Sequence, residues 1–434
     1  MRRSRPPGHT ALILTAGEVV GCRDCGSVQA LPETTAGDVI LCSVCDSELE
    51  RRTGRRLDVA LAFSAATFLL LLPANLLPFL TTSLLGATRQ SYLINSATAM
   101  WHLDWPFLSV VVALFVVSFP LMRFGLLTFV LAALRFDYRP PWLGPLFRLT
   151  NELKMWAMSD VFLLALWVAY ARLGATVATT LDPGAYCFIG AGLCTLFTRA
   201  TLDRTAVWRA IGDGPALDPT RPAIACPSCE LMLDHRREGM ACPRCGARLA
   251  ARVPASVGIA VALTLAGVLL YIPANLFPIA TIPINLKPTA YTVLGGVLDL
   301  VDAHLYGLGL LVFTASFLIP FIKLLGLSWC ILSVLTRSTK ALRTKTRVYR
   351  LVEEIGRWSM VDPLVIACFV PVTQFNSALS SRADEAAPFF TLVVILTMLA
   401  AKIFDPRLMW DARLRTAGAP ADPPTDTNAD RRLA

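Results

Sequence analysis

The strongest constraint on the fold is that the chain contains itself twice. Residues 72–78 read L-P-A-N-L-L-P, and residues 272–278 read I-P-A-N-L-F-P. Pro73, Asn75 and Pro78 therefore map onto Pro273, Asn275 and Pro278. The correspondence continues along both halves. Pro120 maps to Pro320, and Arg123 to the cation Lys323. Trp156-x-Met158-x-Asp160 maps to Trp358-x-Met360-x-Asp362. Thr195, Asp203 and Trp208 map to Thr397, Asp405 and Trp410. The offset stays between 200 and 202 residues throughout. A duplication of this length settles the architecture before any single element does, because each half must fold to the same plan.

That plan is a membrane plan. Hydrophobic residues make up 55% of the chain and charged residues 16%, with a mean hydropathy of +0.57, which excludes an ordinary soluble globule. Apolar runs lie at 57–80, 106–134, 156–173 and 184–201, and again at 254–280, 304–335, 358–379 and 387–404. Each is long enough to cross a hydrocarbon core of roughly 30 Å at about 1.5 Å per residue. Four spans per half is an even number, so the halves face the same way and the repeat is parallel. The expected organisation is an arm (1–21), a cysteine ribbon (22–56) and a four-span module (57–201). A linker (202–225), a second ribbon (226–252), a second module (253–411) and a disordered tail (412–434) follow. The fold class is an all-α polytopic membrane protein of two tandem modules of four transmembrane helices. A small four-cysteine zinc ribbon with β-structure precedes each module.

The formal net charge of +9 follows from topology and is not a nucleic-acid signal. One side of the predicted layout holds thirty-four of the forty Lys and Arg residues, and the opposite loops hold only Arg89, Lys287 and Arg382. Such a bias places the N-terminus, both ribbons and the C-terminus in the cytoplasm. The run from Arg337 to Arg350 has two readings, contact with anionic headgroups or simply this same bias. No phosphate loop or nucleophile–base arrangement occurs, so no nucleotide is expected and the chain does not read as an enzyme.

Eight of the twelve cysteines form four C-x-x-C pairs. Cys22/Cys25 and Cys42/Cys45 are separated by sixteen residues, and Cys226/Cys229 and Cys242/Cys245 by twelve. Two knuckles of this kind point four thiolates at one ion. Zn2+ is the expected metal at both sites in a closed, structural role. A rubredoxin-like Fe site uses similar knuckles, and a thiol redox role is the remaining alternative. Ribbons this small cannot bury a core, so the metal would supply their folding energy, about 10–16 kcal/mol in comparable peptides.

Polar groups within the spans are the other candidates. Pro73 lies about 21 Å along its helix from the inner face at 1.5 Å per residue. Proline removes a helix hydrogen bond and asparagine puts an amide in lipid, which requires satisfaction by protein or by a water-lined cavity. A packing kink and a substrate cavity both fit Pro73, Asn75, Pro78, Pro273, Asn275 and Pro278. Charges inside a bilayer pair or line a pathway. Arg123 with Asp160, and Lys323 with Asp362, are the expected pairs in the inner half of each module, with Pro320 and Thr397 beside them. The alternative is snorkelling of Arg123 and Lys323 to the headgroups.

Duplicated four-cysteine ribbons, P-A-N-x-x-P in the first span and W-x-M-x-D in the third resemble the paraquat-inducible protein A family. The lipophilic-envelope-spanning tunnel A proteins belong to that family. The resemblance covers about residues 20–411. It implies an inner-membrane protein of double-membraned bacteria that works with a periplasmic mammalian-cell-entry (MCE) domain protein, with membrane phospholipid as cargo. A membrane redox protein with iron ribbons and a scaffold without cargo are the rival readings.

Overall fold

The computed structural model describes residues 3–4, 19–31, 38–51, 54, 57–84, 87–173, 178–212, 214–215, 223–284, 287–302, 304–372 and 382–416. Most of the expected arm, residues 213 and 216–222 of the linker, residues 373–379 of the seventh apolar run, and the tail after 416 lie outside the described residues. Six helices are long and apolar enough to cross a membrane: Leu57–Leu76, Pro106–Arg135, Leu143–Ala171, Ser256–Leu276, Tyr306–Leu335 and Ala386–Ile403. Pro183–Thr201 joins them if counted with Arg204–Ile211, to which it is bent by 70°. The repeat is visible in space. In each half the first span packs along the fourth and against the second, and the halves meet where Ser159–Leu173 lies along Val361–Val372. Val161 and Ala165 share one buried cluster there with Val361 and Leu364.

Both second spans carry the same irregularity at the same place. Ala113–Ser118 and Thr314–Leu318 are π-helical, and Pro120 and Pro320 follow immediately. Proline has no N–H to give the carbonyl one turn back, and its ring crowds that carbonyl, so the preceding turn widens. The loosened carbonyls find other donors. Ser118 Oγ donates to Ala113 O at 2.8 Å, and the Met158 amide donates to Phe115 O at 3.3 Å. In the second half Tyr271 donates to Phe317 O at 3.1 Å.

The Met158 bond lies at a second irregularity. The sequence places a span start at 156, but the helix Leu143–Trp156 comes first. It ends at Ala157, whose ψ is 98°, and Ser159–Leu173 then begins. The second half has Leu342–Ile355, a 3-10 turn at Gly356–Met360, and Val361–Val372. W-x-M-x-D thus marks a break in both third spans.

The first span of each half is an unbroken helix carrying Pro73 or Pro273 in its last turns. It stops at Leu76 or Leu276, short of the expected 80 and 280. Beyond it lies structure that hydropathy does not reveal, a three-stranded sheet on the side away from the ribbons. Pro78–Leu84 pairs with Ala87–Tyr92 and Ala178–Leu181, and Ala280–Ile284 pairs with Lys287–Tyr291 and Arg382–Ala383. Pro78 is the first residue of its strand, where a missing amide costs nothing. The sheets are pinned alike: Thr81 donates to Asp182 at 2.6 Å, and Thr281 to Asp384 at 2.5 Å.

The ribbons do not sit on the modules they precede. Cys22, Cys25, Cys42 and Cys45 are buried with Ile331, Leu342, Tyr349, Phe404 and Trp410 of the second half. Cys226, Cys229, Cys242 and Cys245 are buried with Leu131, Leu143, Phe147, Val207 and Trp208 of the first. The docking is crossed, and a sequence difference between the halves accounts for it. Arg343, Arg347 and Arg350 fall on one face of Leu342–Ile355 by their spacing of four and three. They meet Val44 O (2.8 Å), Asp46 (3.1 Å) and Cys45 O (3.1 Å). The basic run is therefore spent partly on the first ribbon. The corresponding helix Leu143–Trp156 instead offers Leu143, Gly144 and Phe147, and the second ribbon seats against them. The last helix, Leu408–Thr416, extends past the expected start of the tail at 412 and buries Trp410.

Gly144 tests this docking. A Cβ at that position would fall 1.8 Å from the Arg244 carbonyl, a contact with backbone that no rotamer relieves. Gly144→Ala is expected to cost about 1–3 kcal/mol. The check is faster proteolytic cleavage within residues 226–252, with the span helices still protected.

Candidate functional site

Each four-cysteine group is built from two knuckles. The residue after each C-x-x-C has a left-handed backbone: Gly26, Asp46, Glu230 and Gly246 have φ between 60° and 73°. Their amides return to the first cysteine of the pair, as in Gly26 N to Cys22 O at 2.8 Å and Gly246 N to Cys242 O at 2.8 Å. This turn faces both thiols inward.

The four Sγ atoms in each group lie within 4.8 Å of one another. Cys22–Cys45 and Cys25–Cys42 are 3.6 Å apart, Cys226–Cys245 3.5 Å and Cys229–Cys242 3.6 Å. A disulfide requires about 2.05 Å. A tetrahedral ion with bonds of about 2.3 Å has edges of roughly 3.8 Å, so the donor sets fit a four-coordinate metal. Polar donors surround the first group: Ser47 Oγ lies 2.7 Å from Cys45 Sγ, and Gln29 donates to Cys42 Sγ at 3.0 Å. Hydrogen bonds from neighbouring cysteines, led by Cys22 and Cys226, lower Cys42 and Cys242, whereas the same crowding raises Cys25, Cys45, Cys226 and Cys245. Ligation requires the thiolate form. Four buried protein thiols supply a complete four-coordinate donor set, so the arrangement suits a closed metal site.

The membrane charges pair differently from the expectation. Asp160 accepts from Arg199 at 2.9 Å and lies 3.6 Å from Arg357, and neither partner is Arg123. Lys323 donates to Gly356 O at 3.1 Å and not to Asp362. The reason is the break in each third span. It brings Arg357 of the second half to Asp160 and turns the Gly356 carbonyl toward the second span, and no hydropathy signal records this. Neither buried cation snorkels, since Arg123 is 5% exposed and Lys323 1%. Pro320 serves the π-turn described above. Thr397 donates to Val393 O and Val394 O in its own helix.

Asn75 donates to Leu71 O at 2.7 Å, and Asn275 to Tyr271 O at 2.8 Å. Both carboxamide oxygens are buried without a partner. The duplication thus repeats an uncompensated acceptor near the far end of each first span. Sequence reasoning missed Arg199 and Arg357, which it assigned to topology. For Arg357 the available signal was its place directly before Trp358 of W-x-M-x-D; Arg199, on the fourth span, had no such mark.

The fold and the two centres define a duplicated multi-pass membrane protein with a four-cysteine metal site docked against each half. The chain belongs to the paraquat-inducible protein A family, whose model matches residues 57–212 and 259–413. It is 28% identical over 415 residues to the intermembrane transport protein PqiA of Escherichia coli strain K12, covering 91% of this chain and 96% of that protein. It is 29% identical over 402 residues to the lipophilic envelope-spanning tunnel protein A of the same strain, covering 92% of each. A probable intermembrane transport protein of Haemophilus influenzae is 24% identical over 366 residues, covering 80% of this chain and 85% of that protein. No solved structure matches.

Substitutions separate the observed pairing from the expected one. Asp160→Asn strips the counter-charge from two arginines and is expected to cost about 3–5 kcal/mol, the usual result of breaking a buried pair. Arg123→Gln removes a cation that, among the described residues, has no carboxylate within ion-pair distance, and is expected to leave stability unchanged or raised. Thermal melting of the two variants in detergent gives the comparison.

Proposed function

We propose that this chain is the inner-membrane subunit of an envelope lipid-transport system. It passes phospholipid between the inner membrane and a periplasmic tunnel built by an MCE-domain protein. The observation that carries the reading is the match, over nine-tenths of the chain, to relatives named for intermembrane transport and for an envelope-spanning tunnel. The distribution of Lys and Arg supports an orientation with ribbons and termini in the cytoplasm, so that the two far-side sheets face the periplasm and the partner. Zn2+ is the metal proposed for both ribbons, because the all-thiolate, closed donor sets suit it. Held there, the ion would fix the knuckle geometry on which the crossed docking rests.

The lipid path proposed runs along the polar positions of the spans. Asn75 and Asn275, with Pro73, Pro78, Pro273 and Pro278, form its outer part. Arg123, Asp160, Pro320, Lys323, Asp362 and Thr397 form its inner part. The unpartnered asparagine oxygens support this use, since a buried acceptor without a donor is costly in lipid.

The test is purification of the tagged chain from native membranes. Expected are a stoichiometric MCE-domain protein by mass spectrometry, one zinc per four-cysteine group by elemental analysis, and no visible absorbance. An intact, metal-loaded chain with no such partner would overturn the transport reading, and coloured iron sites would move the assignment to a redox protein. Metal loss has a crossed signature. Cys42→Ser should expose 342–355 to hydrogen exchange and Cys242→Ser should expose 143–156, each with one metal lost.

A further inference from the structure

A cavity of about 530 Å³ lies between the first ribbon, the start of the second ribbon, the inner part of the first half, and Glu354 and Arg357 of the second. Arg123, Lys154, Arg199 and Arg357 all line it. Their charges act on one another: Arg199, Arg357 and Asp160 on Arg123, and Arg123 and Arg199 on Lys154. Arg23 and Arg204 line it too, and so do five carboxylates, Glu48, Glu50, Asp203, Glu230 and Glu354. Arg199 and Arg357 share Asp160, which lies outside the lining, and Arg357 also meets Glu354. Two of the lining carboxylates have duties elsewhere. Glu50 is tied to Arg209 at 2.8 Å, and Asp203 caps the helix Arg204–Ile211 through the Ala206 amide at 3.0 Å.

The donors in this cluster are left over in a consistent way. Arg123 is buried and lines the cavity, its guanidinium 4.9 Å from the Phe124 ring, with no carboxylate among the described residues within ion-pair distance. Arg199 spends one nitrogen on Asp160, while its Nε and other terminal nitrogen are buried without a partner. Arg357 Nε is buried without a partner as well. A buried guanidinium with no acceptor is expensive, and a group that remains so in lipid-embedded protein awaits an anion. Planar N–H forks brought together by two helices and the 3-10 turn Gly356–Met360, with an ammonium beside them, match the several acceptor oxygens of a phosphate.

We infer that this cavity, floored by Arg123, Lys154, Arg199 and Arg357, is a binding site for a phosphate group. Two sources present that chemistry, an anionic phospholipid headgroup and free inorganic phosphate. Only the choice of headgroup rests on the lipid-transport reading. The site itself rests on the unpaired guanidinium groups.

The experiment uses the full chain, wild type, Arg123→Gln and Lys154→Gln, in nanodiscs of phosphatidylethanolamine with a minority of phosphatidylglycerol. Retained lipid is read by native mass spectrometry. In parallel, inorganic phosphate is titrated against the chain in purely zwitterionic discs and followed by 31P NMR. Phosphatidylglycerol retained by wild type and reduced about tenfold or more in both variants, the effect of losing one charge-assisted contact, assigns the headgroup. Binding of inorganic phosphate alone, lost in both variants, keeps the site and assigns free phosphate. Anion binding that is absent from wild type, or equal in all three proteins, overturns the inference. Arg123→Gln should melt no lower than wild type, and Lys154→Gln alters a side chain exposed to the cavity, so misfolding does not confound the result. Failure of the transport reading shows separately: anion binding that depends on Arg123 would persist in a chain that recovers no MCE-domain partner.

Discussion

The structure depends on the crossed seating of the two four-cysteine centres. Each ribbon is too small to hold itself together by burial, and each buries its thiols against helices of the opposite half. The centres therefore do more than order their own loops. The first holds Leu342–Ile355 through three arginines, and the second closes over Leu143 and Phe147. The ribbons also touch each other, with Gly21 so close that an added Cβ would lie 3.0 Å from Ala225. Two halves that meet along their third spans and through Met100, Leu108, Ile366 and Ala387 are thus also cross-linked on one side.

Asp160 makes the same connection inside the membrane. It belongs to the first half, and it bonds Arg199 of that half and Arg357 of the other. A carboxylate shared between two guanidinium groups couples the relative position of the halves to the charge of the cavity above. The break at W-x-M-x-D makes this possible, because it frees backbone groups and re-aims side chains that a continuous helix would direct elsewhere. The breaks are stabilised in turn by the neighbouring span, as the Met158–Phe115 bond shows. Pro120, the widened turn and the third-span break are therefore one device, repeated in each half with different donors.

Much of the fold was legible in the residues. The offset of about 200 announced two like halves, and the hydropathy runs located the spans to within a few residues at most ends. The C-x-x-C spacing identified both metal groups, since a knuckle is a local turn whose geometry few residues specify. The errors have a common origin. Arg123 and Asp160 were paired because their spans are neighbours in sequence, whereas Asp160 bonds Arg199 of the span that follows and Arg357 of the other half, a choice that only packing makes. The far-side strands were hidden because they adjoin apolar helices and extend the same hydrophobic signal.

By itself the sequence determined the duplication, the membrane-spanning character, the two thiolate groups and the places where proline must disturb a helix. These follow from composition, period and local stereochemistry. Only the tertiary structure decided which half each ribbon serves, which arginines hold Asp160, and that Arg123 is left facing a cavity without a partner. Those outcomes turn on residues distant in sequence, from Asp160 and Arg199, 39 residues apart, to Val44 and Arg343, 299 apart. Their meeting is set by how breaks and π-turns aim whole helices, and no local pattern encodes that.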